Sequence, residues 1–264
     1  MYVSAGVWLE TRKLGSLFSY TGFMNAYHTI KNFLLDLLFP IECLGCGMHG
    51  SYLCAPCFAK ISVQESFVCP VCVQPSFENA VCKMCCKKTK LDGVIAASVY
   101  DNALLRRVLF AYKYRFIKAL AEPLTQLLLK SLALHDYAPL HRNDLMVVPL
   151  PLSKRRYRWR GFNQAAELAT LLARVLNLPI ATNALIRARS TVPQTETESR
   201  EERFKNISGA FSVTDTRHIK NKAILLVDDV ATSLATLSEC ARMLKDAGAK
   251  EVWGLVVARE YLRK

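Results

Sequence analysis

The stretch from Ala223 to Gly248, AILLVDDVATSLATLSECARMLKDAG, constrains this chain more than any other. It begins with a continuous apolar run, Ala223 to Val227. A run rich in Ile, Leu and Val suits a strand buried on both faces of a parallel sheet. Asp228 and Asp229 follow at once. Carboxylates at the carboxyl end of such a strand sit at the crevice where open α/β sheets bind ligands. A short hydroxyl-rich loop, Thr232, Ser233 and Thr236, then opens a helix. Its apolar positions are Leu237, Cys240, Ala241 and Leu244, and Gly248 serves as its C-terminal stop. Strand end, acidic pair, hydroxyls and helix N-terminus together make an anion-binding corner, because unpaired N–H groups and the helix dipole both face a phosphate.

The second constraint is cysteine spacing. Nine of the ten cysteines lie between residues 43 and 86. Cys43/Cys46, Cys54/Cys57, Cys69/Cys72 and Cys82/Cys85 are four successive CxxC pairs. Each pair can present two thiolates to one tetrahedral ion, so eight ligands imply two structural zincs. The expected pairing is sequential, with an interleaved arrangement as the alternative. A site closed by four thiolates leaves no open position for catalysis. A segment this short also holds too little apolar surface to fold without its metal. Cys86 is a spare thiol that a one-residue shift would put in place of Cys85. Cys240 falls on an apolar helix face and reads as core.

Charge points to polyanions. The 264 residues carry a net charge of +13, and 52% are hydrophobic, enough for a real core. No run approaches the roughly 18 apolar residues of a membrane span. Residues 1–40 read as an N-terminal extension, with Met1 or Met24 as its start. It ends in a short amphipathic helix marked by Ile30, Phe33, Leu34, Leu37 and Leu38 and stopped by Pro40. The extension lacks the pattern of a secretory signal, which implies a reducing, cytoplasmic setting in which thiols bind metal. The ribbons are expected over 41–90, with Lys83, Lys87, Lys88 and Lys90 at their end, and an α/β domain over 91–264.

Within that domain Val94 to Tyr100 and Leu145 to Leu150 read as strands. Ala103 to Tyr112 and Ala119 to Leu134 read as helices, the second tolerating Pro123 in its first turn. After the second strand come Lys154, Arg155, Arg156, Arg158 and Arg160, five cations in seven residues, read as a loop with Tyr157 and Trp159 interleaved. Guanidinium forks suit phosphate oxygens, and rings between arginines suit the stacking of single-stranded bases. Gly161-Phe162-Asn163-Gln164 leads into another helix. Residues 188–202 are polar and without apolar period, either a lid or a plain linker. A final strand covers Glu251 to Ala258.

Three blocks carry a family resemblance. Ala223 to Thr236 resembles the ribose-phosphate loop of type I phosphoribosyltransferases, V-D-D-V-x-T-T-G-x-T. Val148 to Gln164, V-P-L-P-x-x-x-R-R-x-x-x-R-G-F-N-Q, resembles the signature of the ComF family of competence-associated proteins. Gln194, Arg200, Arg203, Asn206, Ala210 and Phe211 match its third block. The resemblance implies a double zinc ribbon before a type I phosphoribosyltransferase-like domain: an open, mostly parallel α/β sheet with helices on both faces. It implies a cytoplasmic role in handling incoming DNA, among competence and DNA-processing partners. It also implies that Asp228 and Asp229 meet the 2- and 3-hydroxyls of 5-phosphoribosyl-1-pyrophosphate, that Thr232, Ser233, Ala235 and Thr236 wrap its 5-phosphate, and that Mg2+ accompanies it. Arg155, Arg156, Arg158, Arg160, Arg200 and Arg203, with Arg187 and Arg189, are the candidates for neutralising the pyrophosphate.

One position departs from the pattern. Leu234 stands where the motif has glycine, the residue that allows φ > 0 and close approach of backbone to phosphate. A leucine there threatens the loop's shape or the phosphate's space. Two readings therefore remain: a phosphoribosyl transferase with an unassigned acceptor, or a catalytically weakened adaptor that binds single-stranded DNA. No motif places a general base, and His135, His141 and His218 read as surface residues.

Overall fold

The computed structural model describes residues 40–134, 137–189 and 206–261. The expected helix over 30–38, the alternative start Met24, His135, Gln194, Arg200 and Arg203 lie outside the described residues. The chain divides into two compact units, residues 1–52 and residues 53–264. In the first unit, a bridge between Glu42 and His49 closes a tight turn, with the Cys43 N–H donating to the Met48 carbonyl.

In the second unit a five-residue helix, α1 (Ala55–Ala59), precedes β1 (Gly93–Val99), α2 (Ala103–Tyr114) and α3 (Ala121–Leu134). Next come β2 (Leu145–Pro149), α4 (Lys154–Arg160) and α5 (Gln164–Leu176). A small hairpin partner pair follows, β3 (Leu185–Arg187) and β4 (Phe211–Val213). The chain closes with β5 (Ala223–Ala231), α6 (Ala235–Asp246) and β6 (Glu251–Arg259). The main sheet has the order β1-β6-β5-β2 with every pair parallel, and β3 and β4 pair antiparallel beside it.

The sheet is covered on both faces. Ile224, Leu226, Val94, Val148, Val252 and Val256 share one core cluster with Leu237, Cys240, Ala241 and Leu244 of α6. Side chains alternate along a strand, so the equally buried Ile95, Val147, Leu225, Val227 and Leu255 face the other side. There α3 and α5 pack on the strands and on each other. This two-sided burial is why β5 reads as an unbroken apolar run.

Helix ends follow local chemistry. The side chains of Asn102, Ser153 and Asn163 accept from backbone N–H groups at the starts of α2, α4 and α5. Pro123 sits in the first turn of α3, as its spacing predicts. Gly248 follows the C-cap of α6 with φ +94°. Two expectations fail. β5 continues four residues past Val227, because β6 is long enough to pair with Asp228, Val230 and Ala231 through Val256, Ala258 and Arg259. The acidic pair therefore lies within the strand. The basic stretch is a helix, α4, not a loop: Ser153 caps it and Gly161, at φ +78°, ends it.

The second cysteine-rich segment packs on the sheet domain within this unit. Val71 and Val81 lie against the α6 core cluster, Thr89 Oγ1 meets Ser238 Oγ at 2.8 Å, and Arg259 donates to the Pro70 carbonyl. Gly93 is flush against Trp253, where a Cβ would fall 2.1 Å from the indole. No helix among the described residues is long and apolar enough to cross a membrane.

Candidate functional site

The carboxyl end of β5 opens on a cavity of about 390 Å³. Asp228, Asp229, Thr232, Ser233, Leu234, Ala235 and Thr236 line it from one side, and Arg156, Arg160 and Gln164 from another. Lys113, Tyr114, Trp159 and Arg187 complete the charged and aromatic part of its wall. Of the four arginines singled out on the basic stretch, helical spacing admits two. Arg156 and Arg160, one turn apart, share a face toward the cavity. Arg155 and Arg158 are exposed and lie outside the lining. Arg189 is exposed and donates to the Ser208 carbonyl.

The two acids are held differently. Asp229 is 6% exposed and pairs with the Lys113 ammonium at 2.9 Å. Asp228 accepts the Asp229 backbone N–H at 2.8 Å. Burial and the neighbouring Asp229 charge push the Asp228 carboxyl up to about 8, against the opposing pull of Lys113. Burial would lower the Lys113 ammonium, but the charges of Asp229 and Asp228 outweigh it and hold it raised.

Leu234 takes the backbone conformation a glycine would supply, φ +64° and ψ −3°, at the N-cap of α6. Its carbonyl accepts the Ser238 N–H, so the helix starts regularly. Its side chain is 4% exposed and joins the core cluster with Ala231 and Leu237. The loop thus keeps the left-handed turn at a steric cost of about 1–2 kcal/mol, and the leucine is turned into the core.

Two polar side chains in the wall are left short of partners. Arg160 Nη1 donates to Gln164 Oε1 at 3.0 Å. Arg160 Nε and Gln164 Nε2 are buried with no hydrogen-bond partner among the described residues. Unused buried donors are rare and suit a ligand rich in acceptor oxygens. Gln164 appeared in the sequence only as a motif letter. Lys113, with Tyr114 and Arg115, reads from sequence only as following the helix over Ala103 to Tyr112, yet it falls one turn after buried Leu109, on the apolar stripe of α2. A lysine on a buried stripe is the signal that would have found it.

An aromatic strip leads away from the cavity. Phe110 and Tyr114 of α2 stack at 4.9 Å between centroids, Tyr114 meets Trp159 of α4 at 6.1 Å, and Trp159 meets Phe116 edge-on at 5.1 Å. All four rings are exposed. Arg160 lies 5.4 Å from the Tyr114 ring and 5.8 Å from Trp159. Residues 103–116 carry four cations and residues 153–163 five, with no Asp or Glu in either segment.

The cysteines gather into two sets, Cys43, Cys46, Cys54 and Cys57, and Cys69, Cys72, Cys82 and Cys85. Within each set the sulfurs lie within 4.8 Å of one another. Four Zn–S bonds of about 2.3 Å in a tetrahedron require sulfurs about 3.8 Å apart, and Cys72 and Cys82 stand at 3.7 Å. Backbone N–H groups of Gly45 and Cys82 point at Cys43 Sγ and Cys69 Sγ. The residues present fit two structural zincs, paired sequentially. Cys86 is exposed and outside both sets, so the one-residue shift does not occur, and Cys240 is buried in the α6 core.

Comparison with known proteins agrees with this geometry. Residues 34–86 match the double zinc ribbon domain, and residues 163–260 match the phosphoribosyl transferase domain. Competence protein F of Haemophilus influenzae is 32% identical over 162 residues, covering 60% of this chain and 68% of that protein. Competence protein ComFC of Bacillus subtilis is 30% identical over 207 residues, covering 74% and 79%. The DNA utilization protein YhgH of Escherichia coli is 28% identical over 210 residues, covering 77% and 89%.

Proposed function

Because this chain belongs to the ComF family of competence and DNA-utilisation proteins, we propose that its cavity binds 5-phosphoribosyl-1-pyrophosphate and serves transfer of the phosphoribosyl group. The observation that carries this reading is the convergence on one cavity of the acidic pair, the hydroxyl loop and two arginines of α4. Each matches one part of the ligand. The 5-phosphate sits on the Thr232–Thr236 loop, where hydroxyls and the N-terminus of α6 supply donors and positive potential. The ribose hydroxyls donate to Asp228 and Asp229. Pyrophosphate oxygens take the forks of Arg156 and Arg160 and the unused amide hydrogens of Gln164.

In the transfer, the bond from the anomeric carbon to pyrophosphate breaks as a bond to the acceptor forms, and the acceptor gives up a proton. The transition state is oxocarbenium-like, so cations around the leaving pyrophosphate lower its energy. Among the described residues only the cysteine sets gather three or more metal-ligating atoms. Mg2+ is therefore expected to be held by pyrophosphate oxygens and water, where it supplies charge neutralisation.

Calorimetry with the Mg2+ complex of the sugar donor tests the reading. The double variant Arg156→Ala/Arg160→Ala should bind at least about tenfold more weakly, since each charge-assisted hydrogen bond contributes about 1.5–3 kcal/mol. Arg155→Ala/Arg158→Ala should change affinity by less than about threefold, the size of an exposed-charge effect. Equal losses from both pairs would refute the assignment. No binding by the wild type, with binding restored in Leu234→Gly, would sink the enzyme.

The aromatic strip favours a second reading, a surface for single-stranded DNA. Exposed rings between arginines offer stacking and phosphate contacts together. Trp159→Ala should weaken binding of an unpaired oligonucleotide about fivefold or more, at 1–3 kcal/mol per stacked base. Affinity should fall steeply with salt. A salt-independent affinity, or one indifferent to Trp159, would remove this reading.

A further inference from the structure

The assignment of sugar hydroxyls to the acidic pair leaves a physical problem. Two carboxylates side by side in a mostly buried site repel each other and lose hydration, and a single unpaired charge there costs several kcal/mol. The structure supplies one direct answer. Lys113 Nζ lies 2.9 Å from Asp229 Oδ1, and among the described residues it makes the only ion pair with either acid. Its position is fixed from behind, because the hydroxyl of neighbouring Tyr112 is buried and donates to the Gln164 carbonyl at 2.9 Å, tying α2 to α5.

We propose that Lys113 is the built-in counter-ion of the acidic pair, keeping it able to accept hydroxyl hydrogens from a sugar diol near neutral pH with no divalent cation on the carboxylates. This rests on the sugar-phosphate reading above. Other charged or titratable groups act on the pair from every side. Arg160 approaches from α4, Tyr112 from α2 and Cys240 from α6, while Tyr114 acts on Lys113 and Arg160, and Glu167 of α5 acts on Tyr112. Of these, Arg160 is the remaining cation; its Nη1 donates to Gln164 Oε1, and among the described residues it makes no ion pair with either acid. The sign of the Lys113 contribution follows. It opposes burial and the Asp229 charge, so removing it moves the Asp228 titration upward and leaves less of the pair ionised at neutral pH.

Ribose 5-phosphate is the probe, because it carries the diol and the phosphate but no pyrophosphate. Binding is measured by calorimetry from pH 6 to 9.5 in Mg2+-free buffer without chelator, so that the ribbons keep their zinc. Wild-type affinity should climb with pH through about 8 and level off about one unit above it, where the Asp228 carboxyl is ionised. Lys113→Met should be at least about tenfold weaker at pH 7, one unit of upward shift being a factor of ten, and should recover at higher pH. Lys113→Arg should restore most of the wild-type profile. Superimposable profiles for wild type and Lys113→Met would overturn the proposal. If Lys113→Met does not fold, the wild type decides: a more than tenfold gain in ribose 5-phosphate affinity on adding Mg2+ alone would put the divalent on the carboxylates and overturn it. An unchanged affinity supports it. No wild-type binding at any pH would instead overturn the sugar-phosphate reading itself.

Discussion

Freshly purified protein is expected to contain two zincs per chain, and the Cys82→Ser chain one. The physical reason is the sulfur geometry. The sulfurs of each cysteine set lie within 4.8 Å of one another, and Cys72 and Cys82 stand at 3.7 Å, close to the spacing that a tetrahedral ion requires. Zinc in such small ribbons contributes folding energy of about 10 kcal/mol or more. The effect should reach past the ribbon. Val71 and Val81 of the second ribbon share a core cluster with Leu234 and Leu237, and Thr89 is hydrogen-bonded to Ser238 of α6. Losing that zinc should therefore loosen the side of α6 that opens the cavity. Cys82→Ser should lower the melting temperature by about 10 °C or more, at roughly 2–4 °C per kcal/mol for a domain this size. It should also weaken binding of the sugar donor. Metal analysis finding no zinc, or a Cys82→Ser chain that melts and binds like wild type, would contradict the account.

Leu234 gives the second large effect, with an unusual order. Replacing it by alanine removes a buried side chain, which costs about 2–5 kcal/mol, and leaves a residue with a Cβ at φ +64°. Replacing it by glycine loses the same packing but relieves about 1–2 kcal/mol of left-handed strain. Leu234→Ala is therefore expected to be the less stable variant, by about 1 kcal/mol, and both should fall below wild type in urea unfolding. The usual ranking, with glycine worse than alanine, would show that the left-handed turn is not maintained. Affinity for the sugar donor should survive in Leu234→Gly, because the loop conformation is the one glycine favours.

The leucine shows where a motif comparison misleads. Read as a letter, it breaks a phosphate-loop pattern. Folded, it adopts the φ the pattern demands and sends its side chain into the core beneath. The strain is local, whereas the compensation comes from burial in a core cluster that also holds Val94, Val148 and Val256, residues far from 234 in sequence. The basic stretch shows the reverse. Its composition marks Arg155, Arg156, Arg158 and Arg160 alike, and read as a loop it offers no reason to separate the two that line the cavity from the two that do not. Once Ser153 and Gly161 define a helix, 3.6 residues per turn do the sorting.

Some of this molecule was decided along the chain. Four successive CxxC pairs read as metal knuckles, and an apolar run ending in acids, hydroxyls and an amphipathic helix reads as a buried strand and its crossover. Both are short-range patterns, so the cysteine sets and the sheet class could be read without coordinates. Packing decided the rest. Lys113 reaches Asp229 across 116 positions of sequence, Gln164 is stranded in a cavity wall, and rings from α2, the turn after it and α4 form one strip, because side chains distant in sequence meet only when the sheet has chosen its strand order.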